Sequence, residues 1–223
     1  MVAELLQQQR FGVVSIWGLE RWAADHAAVL QPFLQNFNPV TEAELRKISA
    51  LTTPNSVLAV AQWPEIWPEA GLLQSDICLY LDGIQDPGNC GTILRVADWF
   101  GFPAVFCSPE TADVFSPKVV QASMGAVFRV PSREIGLPEL LAGSPGDTPV
   151  MGAVLGGDDL FRASLPRRGL LVIGNEGRGI STDTEALLTH RLTIPRHPAG
   201  HAESLNAAVA TGILAAVLRN SGE

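Results

Sequence analysis

The sequence predicts an α/β protein, a parallel sheet with helices on both faces, preceded by a smaller α/β unit. Three observations lead there. From Ile77 onward, short apolar runs such as ICLYL, AVFCS and GLLVIG alternate with helical stretches such as TILRVADWF, and that alternation produces parallel neighbours in a sheet covered on both sides. The chain has 223 residues, 47% of them apolar, enough for a sizeable core in one large or two small domains. Three Gly- and Asn-rich segments, 82–91, 174–181 and 195–206, each follow a strand-like run, so all three can gather at the carboxyl edge, where such sheets bind ligands.

Residues 1–70 read as the smaller unit. AELLQQQ has helical character, FGVVSIWG is a strand, and RWAADHAAVLQPFLQNF carries apolar residues at helical spacing. Thr41 followed by Glu44 is a capping box for the next helix. TPNSVLAVAQW is a strand after a Pro-Asn turn. Met1 leads into a helix with no strand before it, which reads as a unit lacking its first elements. The stretch Trp63–Glu69 contains two prolines and reads as a linker. His26, within the helical pattern, reads as a surface residue.

Residues 76–223 read as the main domain. ICLYL is a strand, DGIQDPGNCG a loop, and TILRVADWF a helix closed by Gly101. AVFCS is a strand, SPKVVQASMG a short helix with Pro117 in its first turn, AVFRV a strand, and LPELLAG a short helix. PVMGAVLGG and GLLVIG are strands, STDTEALLTH is a capped helix, and RLTIP is the last strand. The final helix, AAVATGILAAVLRN, has no ionisable group before Arg219. A helix apolar on all sides is buried in its own domain or against a partner.

Composition narrows the function classes. The net charge is −8, which argues against a protein that coats nucleic acid by bulk electrostatics. A local basic site stays open, and Lys118, Arg129, Arg133, Arg162, Arg167, Arg168, Arg178, Arg191 and Arg196 could form one. Cys78, Cys90 and Cys107 make no CxxC pattern and read as reduced thiols of a cytoplasmic protein. No basic stretch followed by an apolar one opens the chain, and the most apolar run, 207–218, is too short to span a bilayer. GNCGTIL fits neither the dinucleotide nor the nucleoside-triphosphate glycine pattern. His190, His197 and His201 have no metal-ligand spacing with carboxylates, so no metal is expected.

The three loops hold the candidate site residues. Asn89 stands six residues before Arg95, and an Arg on a helix behind a glycine loop can meet an anion. The plainer alternative pairs Arg95 with Asp98. Glu176 and Arg178 lie between glycines, where side chains have little packing role; the alternative is a tight exposed turn. Ser204 and Asn206 precede the last helix, and Ser204 could be no more than its N-cap.

Taken in order, DPGNCGTILRVADWFG, LVIGNEGRGIS and IPRHPAGHAESLNAAVATGIL resemble the three motifs of the SpoU/TrmH family, the branch of the SPOUT class whose members are RNA ribose 2′-O-methyltransferases. SPKVVQASMGAVFRVP resembles the family's connecting segment, so the resemblance covers about residues 77–220. Residues 1–76 look like the later part of the small RNA substrate-binding domain many members carry. The resemblance implies a parallel sheet closed by a C-terminal trefoil knot, a homodimer packed through the domain's first and last helices, and rRNA or tRNA as substrate. It implies S-adenosyl-L-methionine as cofactor, held by backbone groups of Gly174, Ile194 and Leu205. It carries over Arg95 as activator of the ribose hydroxyl, with Asn89, Glu176, Ser204 and Asn206 at the other polar motif positions. The link Arg196–Gly200 departs from the family, whose members often have a shorter link with Met after the Pro. A base-nitrogen methyltransferase, a non-catalytic RNA-binding relative and a flavodoxin-like binding domain are the competing readings.

Overall fold

The structure, a computed structural model, describes residues 1–8, 10–53, 55–63 and 68–220. It divides into two units, Met1–Ile66 and Trp67–Glu223. Most of the expected linker, 64–67, lies outside the described residues.

In the first unit, helix α1 (Val2–Gln7) precedes strand β1 (Val13–Gly18). Helices α2 (Glu20–Asp25) and α3 (Ala27–Leu30) and a 3-10 turn (Gln31–Asn36) follow, then β2 (Phe37–Pro39), α4 (Glu42–Ile48) and β3 (Val57–Ala61). Strand β1 is central, parallel to β2 and antiparallel to β3. Leu6, Ile16, Trp22 and Leu30 form its core. The single helix expected over 21–37 is broken at His26 (φ −121°, ψ 24°), whose ring stacks on Trp22 at 4.6 Å. Pro32 then opens the 3-10 turn, and Phe37–Pro39 pairs as an unforeseen strand. The capping box is present: Glu44 N–H donates to Thr41 Oγ1, and Thr41 N–H donates to Glu44.

The second unit runs, after a 3-10 turn (Ala70–Gln74), through β4 (Ile77–Asp82), α5 (Pro87–Trp99), β5 (Val105–Cys107), α6 (Pro117–Ser123), α7 (Ala126–Arg129) and β6 (Ser132–Glu134). It continues with α8 (Leu137–Ala142), β7 (Val150–Asp159), β8 (Gly169–Gly174), α9 (Thr182–Glu185), β9 (His190–Thr193) and α10 (Ala207–Asn220). Six strands make one sheet in the order β6-β5-β4-β8-β7-β9, with every described pairing parallel. Every residue of β4 is buried, as a strand covered on both faces must be. The chain lays β4, β5 and β6 outward in one direction and the later strands on the other side. The switch point therefore falls between β4 and β8.

Three sequence expectations need correction. AVFRV is not a strand. Met124 takes the left-handed region (φ 51°), Gly125 follows (φ 89°), and the chain restarts as α7, burying Ala126, Val127 and Phe128; the edge strand is Ser132–Glu134. Short apolar runs do not reveal their period. Helix α5 starts at Pro87, not Thr92, because Asp86 caps it by accepting from Asn89 N–H at 2.7 Å. Strand β7 reaches Asp159 through a bulge: Ala153 and Asp158 both pair with Leu192, so 154–157 loop out. Gly157 is required there, since a Cβ would sit 2.5 Å from Arg191 O.

Helix α10 lies against α5 and buries Ala207, Ala208, Thr211, Leu214, Ala215 and Leu218. Its last turn is clamped. Arg219 pairs with Asp76, donates to Gly101 O at 3.1 Å, and lies 4.4 Å from the Phe102 ring centroid.

Candidate active site

The loops after β4, β8 and β9 carry the candidate residues, and one chain of side-chain hydrogen bonds joins them. Asn89, in the first turn of α5, donates through Nδ2 to Glu176 Oε1 at 2.9 Å. Asn206, before α10, donates through Nδ2 to Asn89 Oδ1 at 2.8 Å. The Asn206 Oδ1 accepts from Ala208 and Val209 N–H at 2.9 and 3.2 Å, so Asn206, not Ser204, is the N-cap of α10.

The order of donors in this relay is forced. A carboxylate only accepts, so Asn89 must turn its NH2 to Glu176 and its oxygen to Asn206. The helix N–H groups only donate, so Asn206 must turn its oxygen to them and its NH2 to Asn89. Both ends dictate the same amide orientations.

The loop carrying Glu176 is built from its own backbone. Asn175 and Gly179 exchange two hydrogen bonds of 2.9 Å. Asn175 Oδ1 accepts from Gly177 and Arg178 N–H, and its Nδ2 donates to Gly83 O at 2.7 Å. Asp82 Oδ2 accepts from Ser181 N–H at 2.7 Å. The loop is thereby fastened to the end of β4 on both of its arms. Gly174 has no room for a side chain: a Cβ would lie 2.3 Å from Ile180 N. Asp82 and Asn175 were missed in the sequence reading. The available signal was a carboxylate ending the otherwise apolar strand ICLYLD.

Arg95 and Ser204 do not join the relay. Both are exposed, and their side chains have no hydrogen-bond or ion-pair partner among the described residues. Asp98, the partner considered for Arg95, is held by Arg129 at 2.8 Å. Six residues at about 100° each put Asn89 and Arg95 on different sides of α5. The basic patch is thinned by pairing: Arg129, Arg162, Arg168 and Arg191 face Asp98, Asp159, Asp147 and Glu185 respectively.

The fold, the three loops at one sheet edge and the order of the segments bear directly on family. Residues 76–216 match the SpoU rRNA Methylase family. The chain belongs to that family. It is 33% identical over 186 residues to a 23S rRNA (guanosine(2553)-2′-O)-methyltransferase of Bacillus subtilis, covering 82% of this chain and 69% of that one. It spans 62%, 69% and 61% of the length of three curated relatives. A protein of Porphyromonas gingivalis assigned to the TrmH family of RNA methyltransferases superposes with a TM-score of 0.80 at 39% identity, over 99% of this chain and 87% of the other. An AdoMet-bound rRNA methyltransferase of Sinorhizobium meliloti gives 0.85 at 24% identity, over 100% and 86%, a likeness of fold.

The residues present suit the cofactor that this SpoU methylase fold implies. The backbone N–H and C=O of Ile194 and Leu205 make no hydrogen bond among the described residues. Leu205 is 49% exposed and Leu155, on the β7 bulge, 78%. Unpaired backbone groups at Ile194 and Leu205, with the open side chain of Leu205 itself, fit an adenosine, which needs both a face to pack on and polar partners at its edge.

Proposed function

We propose that this chain transfers a methyl group from S-adenosyl-L-methionine to a ribose 2′-hydroxyl of ribosomal or transfer RNA. The observation that carries this reading is the Glu176–Asn89–Asn206 relay, which ties the three loops of the sheet edge into one site. The reading is further supported by membership of the SpoU rRNA Methylase family and by relatives named as 23S rRNA 2′-O-methyltransferases.

The cofactor supplies an electrophilic methyl on a sulfonium. Gly174, Ile194 and Leu205 hold it through backbone groups, and the chain's remaining task is alignment. Alignment contributes up to roughly 7–11 kcal/mol in ideal cases. Arg95, with no carboxylate partner, meets the ribose hydroxyl and an RNA phosphate. A guanidinium is a poor base, so Arg95 stabilises developing charge on the oxygen. Glu176 and Asn206 fix Asn89, and Ser204 orients the nucleotide.

The finer parts of the reading follow the family pattern. The C-terminal segment closes a trefoil knot. Two copies pair through α5 and α10, whose outward positions Val209, Ile213 and Ala216 lie on one apolar stripe. Residues 1–70 contribute to RNA binding, and the protein works in the cytoplasm.

The test is methyl transfer from tritiated cofactor to RNA extracted from cells lacking the gene, followed by alkaline digestion. A ribose methyl blocks cleavage and leaves the label in a dinucleotide. Label released in mononucleotides places the methyl on a base and overturns the reading, as does absence of transfer.

A further inference from the structure

A cavity of about 480 Å³ opens at the β4/β8 switch point, on the side of the motif-two loop facing β5 and β6. Its volume falls within the usual range for ligand pockets, roughly 300–1,000 Å³. None of Gly174, Ile194 and Leu205, the backbone positions assigned to the cofactor, lines it. Two buried polar side chains in its wall each keep one oxygen without a hydrogen bond among the described residues. Asp82 is 7% exposed, and while Oδ2 accepts from Ser181 N–H its other oxygen takes no hydrogen bond. Thr184 is 6% exposed and its hydroxyl makes none. The neighbouring hydroxyls are satisfied: Tyr80 donates to Ile135 O, and Ser108 accepts from Gly83 N–H. Asp82 and Thr184 are neighbours through Ser181, which bonds to both.

We propose that this cavity receives an unpaired guanine of the RNA substrate, read by Asp82 and Thr184, an inference that rests on the RNA methyltransferase reading above. The guanine edge presents one acceptor, O6, followed by two donors, N1–H and N2–H2. Thr184 donates to O6, and the Asp82 carboxylate accepts from the two donors. Adenine and cytosine would turn a ring lone pair toward the carboxylate, and uracil offers it a single N–H. Pro109 and Pro138 line the mouth and provide flat apolar surface for the base. Arg178 also lines the cavity, exposed and with no side-chain partner among the described residues, and meets a backbone phosphate. Glu110 and Asp183 beside it oppose further negative charge, which favours a base within a strand over a free nucleoside triphosphate.

The probe is the labelled hexamer UUGUUU, measured by fluorescence anisotropy with the full chain and S-adenosylhomocysteine. We expect it to bind about tenfold tighter than UUAUUU and UUUUUU, and an inosine in place of the guanosine, which lacks N2–H2, to remove most of that gain. Asp82→Asn should reverse the preference toward a xanthosine hexamer, because the amide donates where the carboxylate accepted. A misfolded variant could not produce that gain. Thr184→Val should lower guanosine affinity severalfold and leave the xanthosine reversal out. Equal binding of the guanosine, adenosine, uridine and inosine hexamers by the unaltered chain overturns the proposal. So does an Asp82→Asn protein that still prefers guanosine. GMP alone binding as tightly as the hexamer overturns the assignment to RNA. Calorimetry of S-adenosylmethionine on the same preparations separates the two readings: cofactor binding without guanine preference removes only the cavity proposal, and no cofactor binding removes the methyltransferase reading.

Discussion

Asn206→Asp isolates the relay from everything else Asn206 does. The variant keeps an oxygen for the Ala208 and Val209 N–H groups, so the cap survives. It also adds a negative charge at the start of α10, worth about 0.3–1 kcal/mol. What it removes is the donor to Asn89 Oδ1. If Asn89 turns its amide to compensate, its oxygen then faces the Glu176 carboxylate, and the conflict moves one step along. One neutral, solvent-accessible hydrogen bond is lost, about 0.5–1 kcal/mol. Loss and gain nearly cancel, and the melting temperature should stay within about 2 °C of wild type. Asn206→Ala loses cap and relay together, roughly 1.5–2 kcal/mol, and should melt about 3–8 °C lower. Activity should not follow stability. With Glu176 and α10 no longer tied through Asn89, the loops lose their common register, and misplacement of about 1 Å costs on the order of a hundredfold. The assay pairs calorimetric melting with methyl transfer under single-turnover conditions. An Asn206→Asp enzyme of unchanged stability and wild-type rate would refute the relay's role. So would strict additivity of Asn89→Ala and Asn206→Asp, which break the same bond and should couple by about 0.5–1 kcal/mol.

Arg95→Ala should slow methyl transfer by about a hundredfold or more while S-adenosylmethionine binding, followed by calorimetry, stays unchanged, since the Arg95 side chain has no partner among the described residues to lose. Gly91→Ala places a Cβ 2.6 Å from Ala122 Cβ and 2.8 Å from Ser123 N, forcing α5 and α6 apart; we expect a loss of roughly 1–3 kcal/mol in urea melts. Burial, reinforced by Asp76, pushes the Cys78 thiol up to about 12, and burial with Asp113 does the same for Cys90. The unfolded chain releases those protons near pH 8.5 and the folded chain holds them, so stability is full below that pH and falls as pH rises toward 12. Urea midpoints at pH 7.5 and 10 should differ in that direction, and the thiols should resist iodoacetamide at pH 8 until the protein unfolds.

What could be read from sequence was local, and what could not was distant. The capping box at Thr41, the parallel alternation from Ile77 and the polar loops after strands all lie within a few residues of the features that signal them. The start of α5 was obscured because Asp86, Pro87 and Gly88 carry turn chemistry and cap chemistry alike, and only the Asn89 N–H bond decides between them. The run Ala126–Arg129 was too short to show a period, and the left-handed Met124 before it has no sequence signature. Asp82 meets Ser181 across 99 positions, and Asn89 meets Glu176 and Asn206 across 87 and 117. No window along the chain contains such pairs. Pairing within the basic set was hidden in the same way where it is distant, since the carboxylates that hold Arg129 and Arg168 lie 31 and 21 positions away.

The three loops are not equally prepared for a ligand. The loop after β8 is fastened by the Asn175–Gly179 pair, by Asn175 to Gly83 and by Asp82 to Ser181, so its conformation is fixed before any ligand arrives. The stretch 196–205 is exposed nearly throughout. Its hydrogen bonds among the described residues are internal: Arg196 to Ala202 O, Ala199 N–H to His197, and Gly200 N–H to His197 O. Anchoring resumes only at Asn206. Ser204 and Leu205 therefore owe their position to the relay on one side and to whatever occupies the backbone groups of Ile194 and Leu205 on the other. A ligand that engages those groups must order this stretch and bear the entropy of doing so.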